Sequence, residues 1–406
     1  MKHVWILNHY AQEPGGPGGT RHFSLARHLA DHGWKVTIIA ASTEHGTGRQ
    51  RLGPNEAIRH ECFDGVSFLW LRVRNYAGNG MDRVLNMLDY TRAVLVPNNV
   101  AGLEAPDVVI GSSVHPLAAW AGRRLSRRFD VPFVFEVRDL WPQTLIDMGQ
   151  FSKRHPAAVA LRRLELSLYR SARKIIVLLP FAGEYIEPLG IPREKIVWIP
   201  NGVDLARFPA SPLRADNEVF TLMYFGAHGP ANGLDNLIKA MRIAEEKSQG
   251  RRILLRLIGD GPSKSELREL AADSAAIRFE SAVPKANIPN VAAEADAFVI
   301  CVRDLPQLYR FGISMNKIFD YMAAQRPVII SANAPNNPIE ESGSGLTVQA
   351  ENPDALASAI LEMAEYSTEL RQEMGVRGRR YLEEHYDMAI LADRLSKTLD
   401  DCLRAS

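Results

Sequence analysis

The pattern that most limits what this chain can become is an alternation of short apolar runs with helix-like stretches, played through twice. Val4–Leu7, Val36–Ala40, Val66–Leu71, Val108–Ile110, Phe133–Val137 and Ile175–Leu179 are short, rich in β-branched and aromatic residues, and read as strands. Between them, Arg21–His32, Val84–Leu95, Ala118–Arg128 and Ala157–Ser171 carry apolar residues at three-and-four spacing, the period of a helix with one buried face. After about residue 215 the alternation restarts. Thr221–Phe225, Ile253–Ile258, Ile277–Phe279, Ala297–Val302 and Pro327–Ser331 read as strands, and Leu234–Glu246, Lys264–Ala272, Pro289–Ala295, Lys317–Ala324 and Asp354–Glu365 as helices. Such alternation predicts an α/β fold of two doubly wound halves, each a parallel sheet covered on both faces by right-handed crossovers.

A stretch rich in turn formers, Ile199–Pro209, lies near the middle. It divides the chain into a first domain over 1–205, a second over 206–385, and a final helix over 386–406 that packs back on the first. The length of 406 residues suits two such domains. In open α/β sheets ligands bind beyond the carboxyl ends of the strands, so two such edges facing across a cleft would admit one ligand from each side.

Composition excludes several alternatives. At 46% hydrophobic and 23% charged, the chain is neither disordered nor fibrous. Forty-eight Lys and Arg against 47 Asp and Glu leave +1, which gives no reason to expect a nucleic-acid partner. Cys62, Cys301 and Cys402 are too scattered for a disulfide framework or a zinc site. The N-terminal apolar stretch is too short for a signal peptide, and no window approaches the roughly 18 apolar residues of a membrane span. A cytoplasmic location follows, at the inner face of the membrane if the protein touches lipid. The neutral sum hides an asymmetry: residues 121–174 hold 12 Lys or Arg against five Asp or Glu, a balance of +7 inside a total of +1. That segment is either a solvated basic face or a surface for anionic lipid or a lipid-linked pyrophosphate.

The first glycine cluster, Gly15-Gly16-Pro17-Gly18-Gly19-Thr20-Arg21, lies between a strand and a helix, where glycines let backbone amides approach an anion. It is not a dinucleotide fingerprint, because Arg21 stands at the third glycine position, and no Gly-Lys-Ser/Thr makes it a P-loop. His115, after the strand ending near Ile110, is a candidate acceptor-side residue or a packed or capping one. Glu136-Val137-Arg138-Asp139-Leu140-Trp141-Pro142 closes the next strand. Either Arg138 and Asp139 pin the loop, or Asp139 or Glu136 handles an acceptor proton while Arg138 contacts a substrate. In the second half, Gly226-Ala227-His228-Gly229 and Gly259-Asp260-Gly261-Pro262 are glycine turns on one sheet edge. The richest segment is Tyr309-Arg310-Phe311-Gly312-Ile313-Ser314-Met315-Asn316-Lys317-Ile318-Phe319-Asp320. Its loop runs into a helix whose first turn carries Lys317; dipole, free amides and the cations Arg310 and Lys317 suit a diphosphate. Asp320, one turn on, either accepts from ribose hydroxyls or forms a surface pair with Lys317.

These motifs together resemble the retaining glycosyltransferases of family four, which have the GT-B fold, over nearly the whole chain. The family's glycine-rich first loop is similar to Gly15–Gly19, and its Pro-Asn-Gly-Val-Asp matches Pro200–Asp204 residue for residue. Gly259–Pro262 matches its Gly-Asp-Gly-Pro turn, and Met322-Ala323-Ala324-Gln325-Arg326-Pro327-Val328 its Met-Ala-x-x-x-Pro-Val. Three departures stand out. With Asp320 at the second of two family glutamates, Gly312 replaces the first. The family's diphosphate Arg and Lys fall on Ala227 or His228 and on Asn232, so Arg310 and Lys317 would supply that charge. Arg138 replaces the acceptor-side His. These features resemble the subgroup with Arg-Asp-Leu-Trp-Pro and Gly-x-Ser-x-Asn-Lys motifs that builds bacterial surface polysaccharides, such as O-antigen, from UDP-linked N-acetylated or deoxy amino sugars.

The resemblance implies that Gly16, Gly18, Gly19, Gly226, His228, Gly259, Gly312, Ile313 and Asp320 line the donor. The amides of Ser314, Met315 and Asn316 would meet it, with Val283 near the uracil; His115 and Trp141 would stand on the acceptor side. It implies sugar transfer from UDP-sugar to a glycan, carried on polyprenyl pyrophosphate, with retention and without a bound metal or other cofactor. Arg310 and Lys317 would stabilise charge on the leaving diphosphate. Two rival readings share the architecture: a UDP-N-acetylglucosamine 2-epimerase, which Gly312 disfavours, and a non-catalytic nucleotide-sugar scaffold, which the missing glutamate favours.

Overall fold

The computed structural model describes residues 1–16, 20–44, 47–76, 78, 80–209, 218–248 and 252–404. The chain divides into two compact units, Met1–Asn201 with Met388–Ser406, and Gly202–Asp387.

The first unit is built on eight strands: β1 (Lys2–Leu7), β2 (Trp34–Ala41), β3 (Ile58–Phe63), β4 (Val66–Leu71), β5 (Val108–Ser112), β6 (Phe133–Val137), β7 (Lys174–Val177) and β8 (Ile196–Trp198). They lie in the order β3-β4-β2-β1-β5-β6-β7-β8. The central strands are apolar along their length because helices cover both faces; β1 buries Val4, Trp5, Ile6 and Leu7 completely. One strand departs from the all-parallel expectation. β3 runs antiparallel to β4, joined through Asp64 and Gly65, both at positive φ (46° and 80°), the two-residue turn that matches strand twist.

The second unit holds β9 (Val219–Phe225), β10 (Arg252–Ile258), β11 (Ile277–Glu280), β12 (Ala297–Cys301), β13 (Val328–Ser331) and β14 (Gly345–Val348), ordered β11-β10-β9-β12-β13-β14. All its pairings are parallel. The helix Leu234–Lys247 seals one face with Leu234, Leu237, Ile238 and Met241, which share a core with Phe220, Leu222, Leu255 and Leu257.

The last helix, Met388–Arg404, belongs to the first unit. Met388, Leu391, Ala392, Leu395 and Leu399 join the core of Val4, Ile6, Leu25 and Leu29, and Asp400 pairs with Lys2. Burying a leucine fully contributes about 1.5–3 kcal/mol, so this helix is an integral wall of the unit. No helix among the described residues is long and apolar enough to cross a membrane.

Strand order reverses between β1 and β5 in the first sheet and between β9 and β12 in the second. Neighbouring loops diverge at such points and leave a crevice beyond the strands' carboxyl ends.

Candidate functional site

At the first sheet's reversal, the loop after β1 carries Asn8, His9 and Tyr10, and the loop after β5 carries Ser113 and His115. His115 precedes Pro116, the first residue of the helix Pro116–Phe129, and its Nδ1 accepts from the Ala118 amide at 3.3 Å. Its Nε2 meets His9 Nδ1 at 2.7 Å. Burial pushes its pKa down to about 3, with Arg83 adding to the fall. His115 is therefore a neutral, buried helix cap.

Glu136, at the end of β6, is also buried. Arg21 Nε donates to it at 3.0 Å and His22 Nε2 at 2.6 Å. Burial alone would raise the carboxyl's pKa, but His22, Arg21 and Arg138 hold it well below the usual range. Burial lowers the pKa of His22 while Glu136 opposes the fall, and its Nδ1 meets Asn8 Nδ2 at 2.7 Å. Arg21 turns its remaining N–H groups to the carbonyls of Ile199 and Pro200. The Glu136 carboxylate is thus spent on an internal network. Arg138 is half-buried, its amide bonded to Ser113 Oγ at 3.1 Å, and Asp139 is exposed. The Trp141–Pro142 peptide is cis, and Trp141 is half-buried. Gly16 packs against Gln12; Gly18 and Gly19 lie outside the described residues.

The second sheet's edge is more crowded. The turns after β9 and β10 approach so closely that a Cβ on Gly259 would lie 1.9 Å from the Gly226 carbonyl oxygen, so only glycine fits there. Lys264 ties the turn after β10 to the end of β11, donating to Gly259 O at 2.6 Å, Asp260 Oδ1 at 2.7 Å and Glu280 O at 2.9 Å. His228 sits within this knot with no exposure, and neither ring nitrogen has a hydrogen-bond partner. Burial, then Lys264, lowers its pKa to about 4.

The helix Asn316–Ala323 begins at the β12 side of the reversal. No side chain caps it, and its first turn holds no acid; the Ile318 amide already bonds Met315 O at 3.1 Å, and the positive end of the helix dipole faces this edge. Gly312 enters the preceding loop at φ 100°, a conformation strained for other residues. The Ile313 amide is already taken by Asn336 Oδ1 at 2.7 Å, and Asn336 Nδ2 returns a bond to Ile313 O at 3.0 Å. Ser314 and Met315 are half-buried and Asn316 is exposed.

Lys317 reaches back over the sheet edge. Its ammonium donates to Tyr224 Oη at 3.0 Å and to Asn232 Oδ1, and lies 4.8 Å from the Tyr224 ring centroid. Burial lowers its pKa to about 8. Asn232 is where the family's lysine was expected, so the charge arrives at that place from another element. Arg310 instead packs over Phe311, 4.6 Å from the ring centroid, and bonds Gln307. Asp320 is half-buried and raised in pKa by desolvation, with Arg207 and Lys285 opposing. Lys285 follows Val283 in the loop after β11, and burial lowers it to about 8. Tyr224, Asn336, Lys285 and Arg207 escaped sequence reading because each lies far along the chain from its partner; Lys264 stands only four and five positions from Asp260 and Gly259 and reads in the sequence as an ordinary helix-start lysine.

Elsewhere, at the amino-terminal ends of β6 and β7, Arg123, Arg127, Arg170, Arg173 and Lys195 line a groove of about 680 Å³ whose only acid is Asp130.

Residues 17–202 match the glycosyl transferase 4-like domain family and residues 219–366 the glycosyl transferases group 1 family. The chain is similar to the probable glycosyltransferase WbjE of Pseudomonas aeruginosa, 24% identical over 74% of this chain and 76% of that one. It is also similar to the putative colanic acid biosynthesis glycosyltransferase WcaL of Escherichia coli K12, 24% identical over 53% of each. Among solved structures, Anabaena HepE in complex with UDP and glucose superposes with a TM-score of 0.66 at 16% identity, over 99% of this chain and 100% of that one.

Proposed function

The chain belongs to the GT-B glycosyltransferases, with a 4-like domain followed by a group 1 domain, and we propose that its donor is a UDP-sugar bound at the carboxyl edge of the second sheet. The sugar is an N-acetylated hexosamine or deoxyhexosamine, and the acceptor a glycan on polyprenyl pyrophosphate in bacterial surface-polysaccharide synthesis. The observation that carries this reading is Lys317: a half-buried ammonium whose hydrogen-bond partners among the described residues are neutral, beside a helix start with no side-chain cap and no acid in its first turn. A diphosphate would satisfy both.

In the reaction, the bond between the anomeric carbon and the β-phosphate oxygen breaks, and its electron pair leaves with UDP. An acceptor hydroxyl attacks the same face, and its proton passes to the departing phosphate oxygen. Lys317 and the amides of Ser314, Met315 and Asn316 stabilise the charge growing on the diphosphate. Gly312 leaves room beside the sugar where a carboxylate would otherwise stand, which favours a bulky acetamido substituent. The basic groove beside Arg127 and Arg173 supports a contact with anionic membrane.

Thermal stabilisation by UDP, GDP, ADP and NAD tests the donor, since selective binding raises Tm with ligand over its dissociation constant. UDP alone should stabilise. A response to GDP alone would change the sugar class, and none at all would remove the nucleotide-sugar reading of this edge. Binding to anionic vesicles should weaken with salt; its absence at every salt concentration would remove the membrane contact.

A further inference from the structure

Lys317 is held by a closed network. The Tyr224 hydroxyl donates to Ala227 O at 2.8 Å and Asn232 Nδ2 donates to the same oxygen at 2.9 Å. Tyr224 Oη and Asn232 Oδ1 both accept from Lys317. An ammonium has three N–H donors, so among the described residues one is left over. Ala227 lies in the turn after β9, Asn232 just before the helix Leu234–Lys247, and Lys317 at the start of another helix. Two neutral side chains therefore fix a cation where three elements converge.

We propose that Asn232 and Tyr224 are positioning residues that hold the Lys317 ammonium, with its third N–H directed to a phosphate oxygen of the donor. This rests on the reading of the second sheet's edge as the nucleotide site. Carboxylates at these places would bind the lysine more tightly but would repel the diphosphate; amide and phenol accept without adding charge. The other charged or titratable groups nearby do not neutralise it. His228 is buried and neutral, and Cys301 is held as a thiol by burial. Asp235 is bound to Arg303 at 2.6 Å, and Asp320 faces Arg207 and Lys285.

Removing an acceptor makes the charged form of Lys317 harder to sustain, so its pKa falls further. The consequence is a pH-dependent defect, unlike that of a loop which merely loosens. For a drop of about one unit from about 8, Asn232→Ala should bind UDP within about twofold of wild type at pH 6.5, where the lysine stays charged. At pH 8.5 it should bind about eightfold more weakly, by the same arithmetic. Tyr224→Phe should act in the same direction, and Asn232→Gln should restore the wild-type profile. A readout without nucleotide comes from acetic-anhydride labelling of Lys317 across pH, which reports the neutral amine. Its midpoint should move down in Asn232→Ala. Equal loss of UDP affinity at both pH values, or an unmoved labelling midpoint, overturns the proposal alone. Wild-type protein that binds no UDP at either pH overturns the nucleotide reading, and the proposal with it.

Discussion

The two sheet edges treat buried charge in opposite ways. In the first unit, Glu136 is bound by Arg21 and His22, His22 by Asn8, and Arg21 by two main-chain carbonyls, so each member of the chain is occupied from within. In the second, among the described residues, Lys317 has no anion and His228 no hydrogen-bond partner at either ring nitrogen. A satisfied network rigidifies its surroundings, whereas an unsatisfied one stores binding capacity for a partner from outside. The same fold has thus built a strut at one reversal point and, on the proposed reading, a receptor at the other.

Substitution at the strut should give the largest effect and should appear as stability. Glu136→Gln leaves Arg21 buried without its anion, which costs about 3–5 kcal/mol, read from denaturant unfolding. The sign with pH follows from the depressed carboxyl: its stabilisation is present above the ordinary carboxylate range and lost as pH falls through the lower folded value. The gap between wild type and Glu136→Gln should therefore hold at pH 7 and close only in strong acid. A gap unchanged down to pH 2 would show that the ion pair is not its source.

At the receptor the effect should move from stability to turnover. Lys317→Ala should cut turnover roughly tenfold or more, with Tm hardly changed; normal turnover would place the diphosphate elsewhere. His228→Gln should follow, weakening UDP binding by about fivefold, because an uncharged ring offers a single neutral hydrogen bond worth about 1 kcal/mol. The smallest effect should come from Arg310→Ala, below about threefold on UDP affinity, since Arg310 is engaged with Gln307 and Phe311. A loss equal to that of Lys317→Ala would make the two cations equal partners.

What could be read from the sequence follows the range of the interactions. The central strands and the long helices announce themselves through apolar period, and the glycine turns at Gly226 and Gly259 through composition. Of the four edge strands only β11 did. β8 has three residues and β14 four, too few for a period to show, and β3 is half-exposed with a mixed pattern. Its hairpin had a local signal, Asp64-Gly65, between residues that otherwise read as one strand and a loop. Glu136 looked available to an acceptor because Arg21 and His22 stand more than 100 positions away. Lys317 was recognisable from its place at a helix start, but its holders, 85 and 93 positions distant, were not. Local motif reading finds the group that does chemistry sooner than the groups that aim it.

Because the last helix completes the first unit, the second unit is an insertion: the chain leaves at Asn201, builds Gly202–Asp387, and returns at Met388. Exit and return are stitched side by side, with Val203 bridged to Asp387 and its amide bonded to Tyr386 O at 3.1 Å. Such a piece has both its ends at one place. It can in principle be lifted out and replaced by the corresponding piece of a relative without opening the recipient's core, so donor choice could be exchanged as a cassette while the recipient half stayed whole.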